Sequence, residues 1–112
     1  NGKNIRDFTF IDDIVSGVVK TINKKNKLSN FEIINLGNNN PLNVMKYIKT
    51  IEKLIRVKAI KKLIKSQPGD MVKTYSDNTK SKKLIGYKPK IKIDLGIKKF
   101  IEWYKNYYKV NK

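Results

Sequence analysis

Arg6 is the residue best placed to do chemistry in this chain. It opens the stretch Arg6-Asp7-Phe8-Thr9-Phe10-Ile11-Asp12-Asp13-Ile14-Val15. In an extended segment Arg6 shares its two-residue phase with Phe8 and Phe10, so all three point to one side and Asp7 to the other. A half-buried guanidinium without a partner in its own chain attracts an anion, and its planar fork matches phosphate or carboxylate. The alternative is a solvated arginine on a surface strand. The second candidate is Gln67-Pro68-Gly69-Asp70, where Pro then Gly at the central positions is the signature of a type II turn. Such a turn brings the α-carbons of Gln67 and Asp70 within about 7 Å. It presents an amide and a carboxylate together, a pair suited to the hydroxyls of a ribose or the edge of a base; an ordinary surface turn is the bland reading. The adjacent acids Asp12 and Asp13 precede a helical pattern, and one or the other is expected to cap it.

Composition limits what else the chain can do. Its 112 residues hold one small core, with no sign of two domains. Cys and His are both absent, which removes disulfides, thiolate zinc sites, the usual general base and the commonest metal ligand. The lack of Cys fits a reducing cytoplasm, the expected location. No apolar run approaches the ~20 residues of a membrane span, and no signal-peptide pattern opens the chain. It starts at Asn1 and reads as a sequence entered part-way. The net charge of +17 invites a nucleic-acid reading, but only Arg6 and Arg56 among the 26 basic residues are arginine. Scattered lysines beside abundant Ile and Asn make a solvated basic surface, so nucleic acid is not the expected partner.

The elements that must position these residues follow from periodicity. Asn1-Gly2-Lys3-Asn4 reads as a turn into an extended Ile5–Phe10. A helix over 12–23 carries one apolar face of Ile14, Val15, Val18, Val19 and Ile22, with Gly17 nearby for a tight contact. Phe31–Leu36 is expected as a strand ended by Gly37-Asn38-Asn39-Asn40-Pro41, and 59–64 as another short strand. Asn43 is the expected N-cap of a helix to Ile55, with Val44, Met45, Ile48, Ile51, Leu54 and Ile55 inward. Ser76 or Asp77 caps a short helix over 77–85, and Gly86 ends it. A last helix over 93–108 bears Ile93, Ile97, Phe100, Ile101, Tyr104 and Tyr108, with Trp103 and Tyr107 at the edge of the stripe, all expected in the core.

With these motifs in place the chain resembles the C-terminal third of an extended short-chain dehydrogenase/reductase of the NAD-dependent epimerase/dehydratase family. The similarity is greatest to the UDP-glucuronate 4-epimerase group. The matching residues are Asn1-Gly2-Lys3, the stretch from Arg6 to Val15, Asn35-Leu36-Gly37-Asn38, Gln67-Pro68-Gly69-Asp70-Met71, Thr74-Tyr75-Ser76-Asp77, Gly86-Tyr87-Lys88-Pro89 and Trp103-Tyr104. The resemblance implies an α/β fold of Rossmann type, of which this portion supplies helices over a small, incomplete sheet. It implies that Arg6 holds the pyrophosphate of a UDP-sugar, that Asp70 and Gln67 contact the nucleoside, and that Thr74 joins the substrate-binding set. Many relatives carry arginine where Gln67 stands; glutamine there is usual in the glucuronate epimerase group.

The resemblance also defines what lies elsewhere. No glycine-rich turn joins a strand to a helix, so the NAD site belongs to a missing N-terminal Rossmann portion. Of the tyrosines, only Tyr108 has lysine four residues on, Lys112, and that pair falls outside the family's catalytic position. No catalytic residue is therefore assigned to this chain. The full-length enzymes of the group are expected to be homodimers that invert the sugar at C4 by transient oxidation, in polysaccharide biosynthesis.

Overall fold

The computed structural model describes residues 2–110, so Asn1 in the expected opening turn and Lys112 in the Tyr108 pair lie outside the described residues. The elements are β1 (Ile5–Arg6), α1 (Ile11–Asn23), a 3-10 turn (Lys25–Lys27), β2 (Leu42–Asn43), α2 (Val44–Ile55), α3 (Thr79–Ile85) and α4 (Ile93–Tyr108). All four expected helices are present, within two residues of the boundaries read from the sequence. The Asn43 side chain accepts the Met45 N–H at 2.8 Å and starts α2 as anticipated. Gly86 ends α3 in the left-handed region with φ +67°.

The sheet is smaller than expected. β1 pairs antiparallel with β2, Ile5 opposite Asn43 and Arg6 opposite Leu42. A parallel bridge joins Ile5 to Lys73 on its other side. The extended stretch 31–36 and the segment 59–64 form no ladder among the described residues. Their sequences carry strand character, but a ladder needs a partner backbone in register, and no described strand pairs with them.

Two further expectations are corrected. Neither Asp12 nor Asp13 caps α1: Phe10 stands at the N-cap and both acids lie inside the first turn. Asp13 is buried and accepts the N–H groups of Lys90 and Ile91 at 2.8 and 2.9 Å, tying the approach to α4 onto α1. Asp12 pairs with Lys99 at 3.1 Å on the surface. The aromatics of α4 are not core. Gly96 and Ile97 are buried, with Phe10 against Gly96, but Trp103 is 51% exposed and Tyr104, Tyr107 and Tyr108 are exposed as well. They pack on one another instead, Trp103 on Tyr107 at 5.3 Å and Tyr104 on Tyr108 at 4.6 Å between centroids. The first half of α4 is the half with a covering layer.

The packed centre is small: Ile85, Tyr87, Ile97 and Ser81 are buried, as are Asp13 and Asn78, while buried Glu52 is engaged by Ala59 and Lys61 after α2. Gly17 makes the tight contact expected of it, since a Cβ there would lie 2.7 Å from Leu36 and 3.1 Å from Tyr87. The radius of gyration is 17.0 Å. A compact chain of this length has about 13 Å. The molecule is spread out, with surface in excess of what its own core covers.

Candidate functional site

β1 is the spine of the site. The Ile5 N–H donates to Val72 O at 2.9 Å, and its carbonyl accepts the Thr74 N–H at 3.1 Å. β2 closes the other side, so Arg6 sits on a segment held from both flanks. The Gln67–Asp70 turn forms as expected, with the Asp70 N–H on Gln67 O at 3.1 Å and Gly69 at φ +82°, a conformation that suits glycine.

This arrangement brings two of the four sequence-assigned residues into contact. Arg6 Nη2 lies 2.7 Å from Asp70 Oδ1, and Asn4 Nδ2 donates to Asp70 Oδ2 at 2.7 Å. Arg6 therefore has a partner in its own chain, contrary to the sequence expectation. The partner is not its neighbour Asp7 but a residue 64 positions away, delivered by the Val72–Thr74 pairing. Arg6 Nη1 also donates to its neighbour's carbonyl, Ile5 O, at 3.0 Å. The Arg6 and Asp70 side chains keep 26% and 35% of their surface exposed, so water screens the pair and an incoming anion can reach the guanidinium. Gln67 is exposed, and its side chain makes no described hydrogen bond.

Thr74 lies apart from the ion pair, in a second, polar network that sequence reasoning missed. Its Oγ1 accepts the Asp7 N–H at 3.1 Å. The Asp7 carboxylate in turn accepts three backbone N–H groups, from Asn39 at 3.0 Å and from Asn40 and Ser76 at 3.1 Å. Three converging donors satisfy a carboxylate without a cation. Gly37 fits between them because a Cβ there would lie 2.3 Å from Ser76 Cβ. Buried Asn78 clasps the same glycine, donating to its carbonyl at 2.7 Å and accepting its N–H at 3.2 Å. The Tyr87 hydroxyl donates to that carbonyl too, at 3.1 Å. Burial, then the charges of Asp13 and Asp7, push the Tyr87 phenol above its ordinary value of 10. Asp7, Thr9, Asn35, Gly37, Thr74 and Ser76 border an open polar cleft of about 280 Å³. The sequence signal for this network was the Asn35-Leu36-Gly37 motif, which carries no hint that Asp7 folds into it.

A chain assembled in this way can hold an anion and hydroxyls. Among the described residues no group of His, Cys, Asp or Glu is placed to bind a metal. The start of α1 does not suit the pyrophosphate of a dinucleotide, because its first turn carries Asp12 and Asp13. Gly37 is packed too closely to cradle a ligand.

A sequence profile described as GDP-mannose 4,6 dehydratase matches residues 1–100. The chain belongs to that family. A 37% identical relative, UDP-glucuronate 4-epimerase 5 of Arabidopsis thaliana, matches 96% of this chain over 27% of its own length. An uncharacterized protein of Methanocaldococcus jannaschii is 46% identical across 92% of the chain and 31% of its own length. Among solved structures, UDP-glucuronic acid 4-epimerase of Bacillus cereus in complex with UDP-glucuronic acid and NAD superposes with a TM-score of 0.88. It is 30% identical and covers 96% of this chain and 34% of its own. The chain thus spans about a third of these family members, matching their C-terminal portion. The Rossmann-type fold and the resemblance read from the motifs are both borne out. No helix among the described residues is long and apolar enough to cross a membrane.

Proposed function

We propose that this chain is the substrate-binding portion of an NAD-dependent nucleotide-sugar epimerase, with UDP-glucuronate as the sugar nucleotide. The observation that carries this reading is the Arg6–Asp70 pair. A guanidinium and a carboxylate 2.7 Å apart, on a backbone fixed from both sides, offer a cation and an acceptor to neighbouring parts of one ligand. A nucleoside diphosphate has that layout, its pyrophosphate next to ribose hydroxyls. Arg6 takes the pyrophosphate; Asp70 takes the nucleoside, with Gln67 beside it on the same turn. Thr74 supplies the edge of the polar cleft. NAD and the catalytic groups are held by a separate N-terminal portion, which supplies the transient oxidation at C4. The similarity to the Arabidopsis and Bacillus enzymes supports the choice of sugar.

The test joins these 112 residues to the N-terminal two thirds of the Bacillus cereus enzyme and titrates UDP-glucuronate at physiological salt. A charge-assisted hydrogen bond contributes roughly 1.5–3 kcal/mol, so Arg6→Ala is expected to weaken binding by about one to two decades. Arg6→Lys recovers part of the loss, because a point charge lacks the planar fork. Affinity unchanged in Arg6→Ala would make Arg6 a surface residue and refute the assignment.

A further inference from the structure

Asp70 reaches the site from a stretch that has little cover, since residues 57–71 are all exposed. Its N–H on Gln67 O closes the turn on itself and does not attach it to β1. Strand pairing begins two residues later, where the Ile5 N–H meets Val72 O. The aim of the Asp70 side chain is therefore set by what its two oxygens touch. Oδ1 accepts from Arg6 Nη2 and Oδ2 from Asn4 Nδ2, each at 2.7 Å.

Asn4 is the better anchored of the two donors' neighbours. Its carbonyl accepts the Val44 N–H at 2.9 Å, and two residues before it Gly2 O accepts from Asn43 Nδ2 at 3.3 Å. Ile5, the next residue, is bonded to Val72 and Thr74. The amide thus projects from backbone pinned on both sides. A carboxylate has about four acceptor positions, two on each oxygen. Arg6 occupies one on Oδ1 and Asn4 one on Oδ2, so one stays open on each. Two adjacent open acceptors match two vicinal hydroxyls, each donating once. With Arg6 as sole anchor the carboxylate could turn about its last torsion, which is broad for aspartate. An anion that claims the guanidinium removes that anchor, and Asn4 is then the contact that keeps both oxygens facing the ligand.

We infer that Asn4 is a positioning residue for Asp70, and that through Asp70 it selects a ribose over a deoxyribose nucleotide. This rests on the reading above that Asp70 takes the nucleoside, and it adds a residue that acts on the ligand only through Asp70. An amide suits the task. It donates to Oδ2 without bringing a second positive charge, so the carboxylate keeps its acceptor strength for hydroxyls. It also adds no charge to compete with Arg6 for the phosphates.

The joined protein is titrated by calorimetry at physiological salt with UDP, 2′-deoxyuridine diphosphate and inorganic pyrophosphate. The variants are Asn4→Ala, Asn4→Asp, Asp70→Ala and the double Asn4→Ala, Asp70→Ala. Loss of one hydrogen bond's worth of positioning is expected to weaken UDP by about 3–10-fold in Asn4→Ala. Pyrophosphate should stay within about twofold of the parent, because Asn4 does not contact Arg6. The preference for UDP over its 2′-deoxy analogue should shrink by about threefold or more, a change that general loosening of β1 would not produce. In the Asp70→Ala background, Asn4→Ala should have no further effect on UDP. Asn4→Asp keeps the size of the side chain but sets a carboxylate against Asp70, so it should lose at least as much UDP affinity as Asn4→Ala. Equal losses for UDP and the 2′-deoxy analogue overturn the inference, as do a loss that persists without Asp70 and an Asn4→Asp protein that binds UDP like the parent. A loss of UDP affinity in Asp70→Ala with none in Asn4→Ala overturns the role of Asn4 alone. Unchanged UDP affinity in Asp70→Ala overturns both this role and the nucleoside contact on which it rests.

Discussion

Asp12 and Asp13 are adjacent, identical in chemistry and both in the first turn of α1, yet the structure gives them very different weight. Asp13 is 5% exposed, and its two oxygens receive the Lys90 and Ile91 N–H groups at 2.8 and 2.9 Å. Replacing it by Asn leaves one acceptor and turns an NH₂ group toward the second N–H. One charge-assisted bond, about 1.5–3 kcal/mol, is weakened to a neutral one, and another is lost with its donor left unpaired. The expected cost of Asp13→Asn is about 2–4 kcal/mol, and Asp13→Ala costs more because both donors are stranded. Asp12→Asn removes an exposed ion pair to Lys99 and a favourable charge at the helix start, together about 1 kcal/mol or less. Urea unfolding followed by circular dichroism separates the two. With a slope of about 2 kcal/mol per molar, Asp13→Asn should lower the midpoint by roughly 1–2 M and Asp12→Asn by about 0.5 M or less. Amide exchange at Lys90 and Ile91 should accelerate in the Asp13 variant alone. Equal shifts for the two variants would mean that both acids act only through the helix terminus, and that the Asp13 clasp contributes nothing.

Other outcomes follow from the same geometry. Asp70→Ala in the joined protein should weaken UDP binding but strengthen inorganic pyrophosphate binding, since it deletes a nucleoside contact while freeing Arg6; parallel changes for both ligands would argue against the division of roles. The Lys61 ammonium, then the Ala59 N–H, hold the Glu52 carboxyl below its ordinary value of 4.5 against the opposing effect of burial. A depressed carboxyl stabilises fully above that value and loses its contribution as pH falls through the lower folded value, so acid should release the segment after α2 in the parent and not in Glu52→Gln, as read by amide exchange at Ala59. Burial raises the Tyr47 and Tyr87 phenols, so both keep their protons longer folded than unfolded and stability should fall as pH rises past 10. Tyr87→Phe should lessen that alkaline loss and cost about 1 kcal/mol at neutral pH for the bond to Gly37 O, measured by urea unfolding.

Local chemistry was legible in the sequence wherever the answer depends on a few neighbouring residues. Asn43 caps α2 because its side chain needs only the Met45 N–H two residues on. Gln67-Pro68-Gly69-Asp70 turns because Pro and Gly set their own φ. Asp77 accepts the Thr79 N–H at 2.8 Å for the same local reason, although Asn78 stands at the helix boundary. Arg6 was harder. Its phase in the strand was readable, but its partner arrives through the pairing of Val72–Thr74 with Ile5, and register between distant segments is not written in either one. Asp7 failed for the same reason, since its three donors come from two separate loops.

Faces were read correctly and their destinations were not. Periodicity shows that Val15, Val18, Val19 and Ile22 share one side of α1, and that Phe100, Tyr104 and Tyr108 share one side of α4. It does not say whether the layer that covers a face lies within the same 112 residues. In this chain the inward side of α1 is chosen by small and polar groups: Gly17 admits Leu36 and Tyr87, and Asp13 binds two backbone amides. That choice leaves the apolar stripe outside. A chain whose polar groups are internally satisfied while its apolar stripe and a strand edge remain open is divided in a particular way. Its hydrogen-bond networks are completed locally, and its α1 stripe is left without a covering layer among the described residues. The Arg6–Asp70 site belongs to the locally completed half. Its geometry is therefore set within these residues, by the pairing of β1 with Val72–Thr74 and β2.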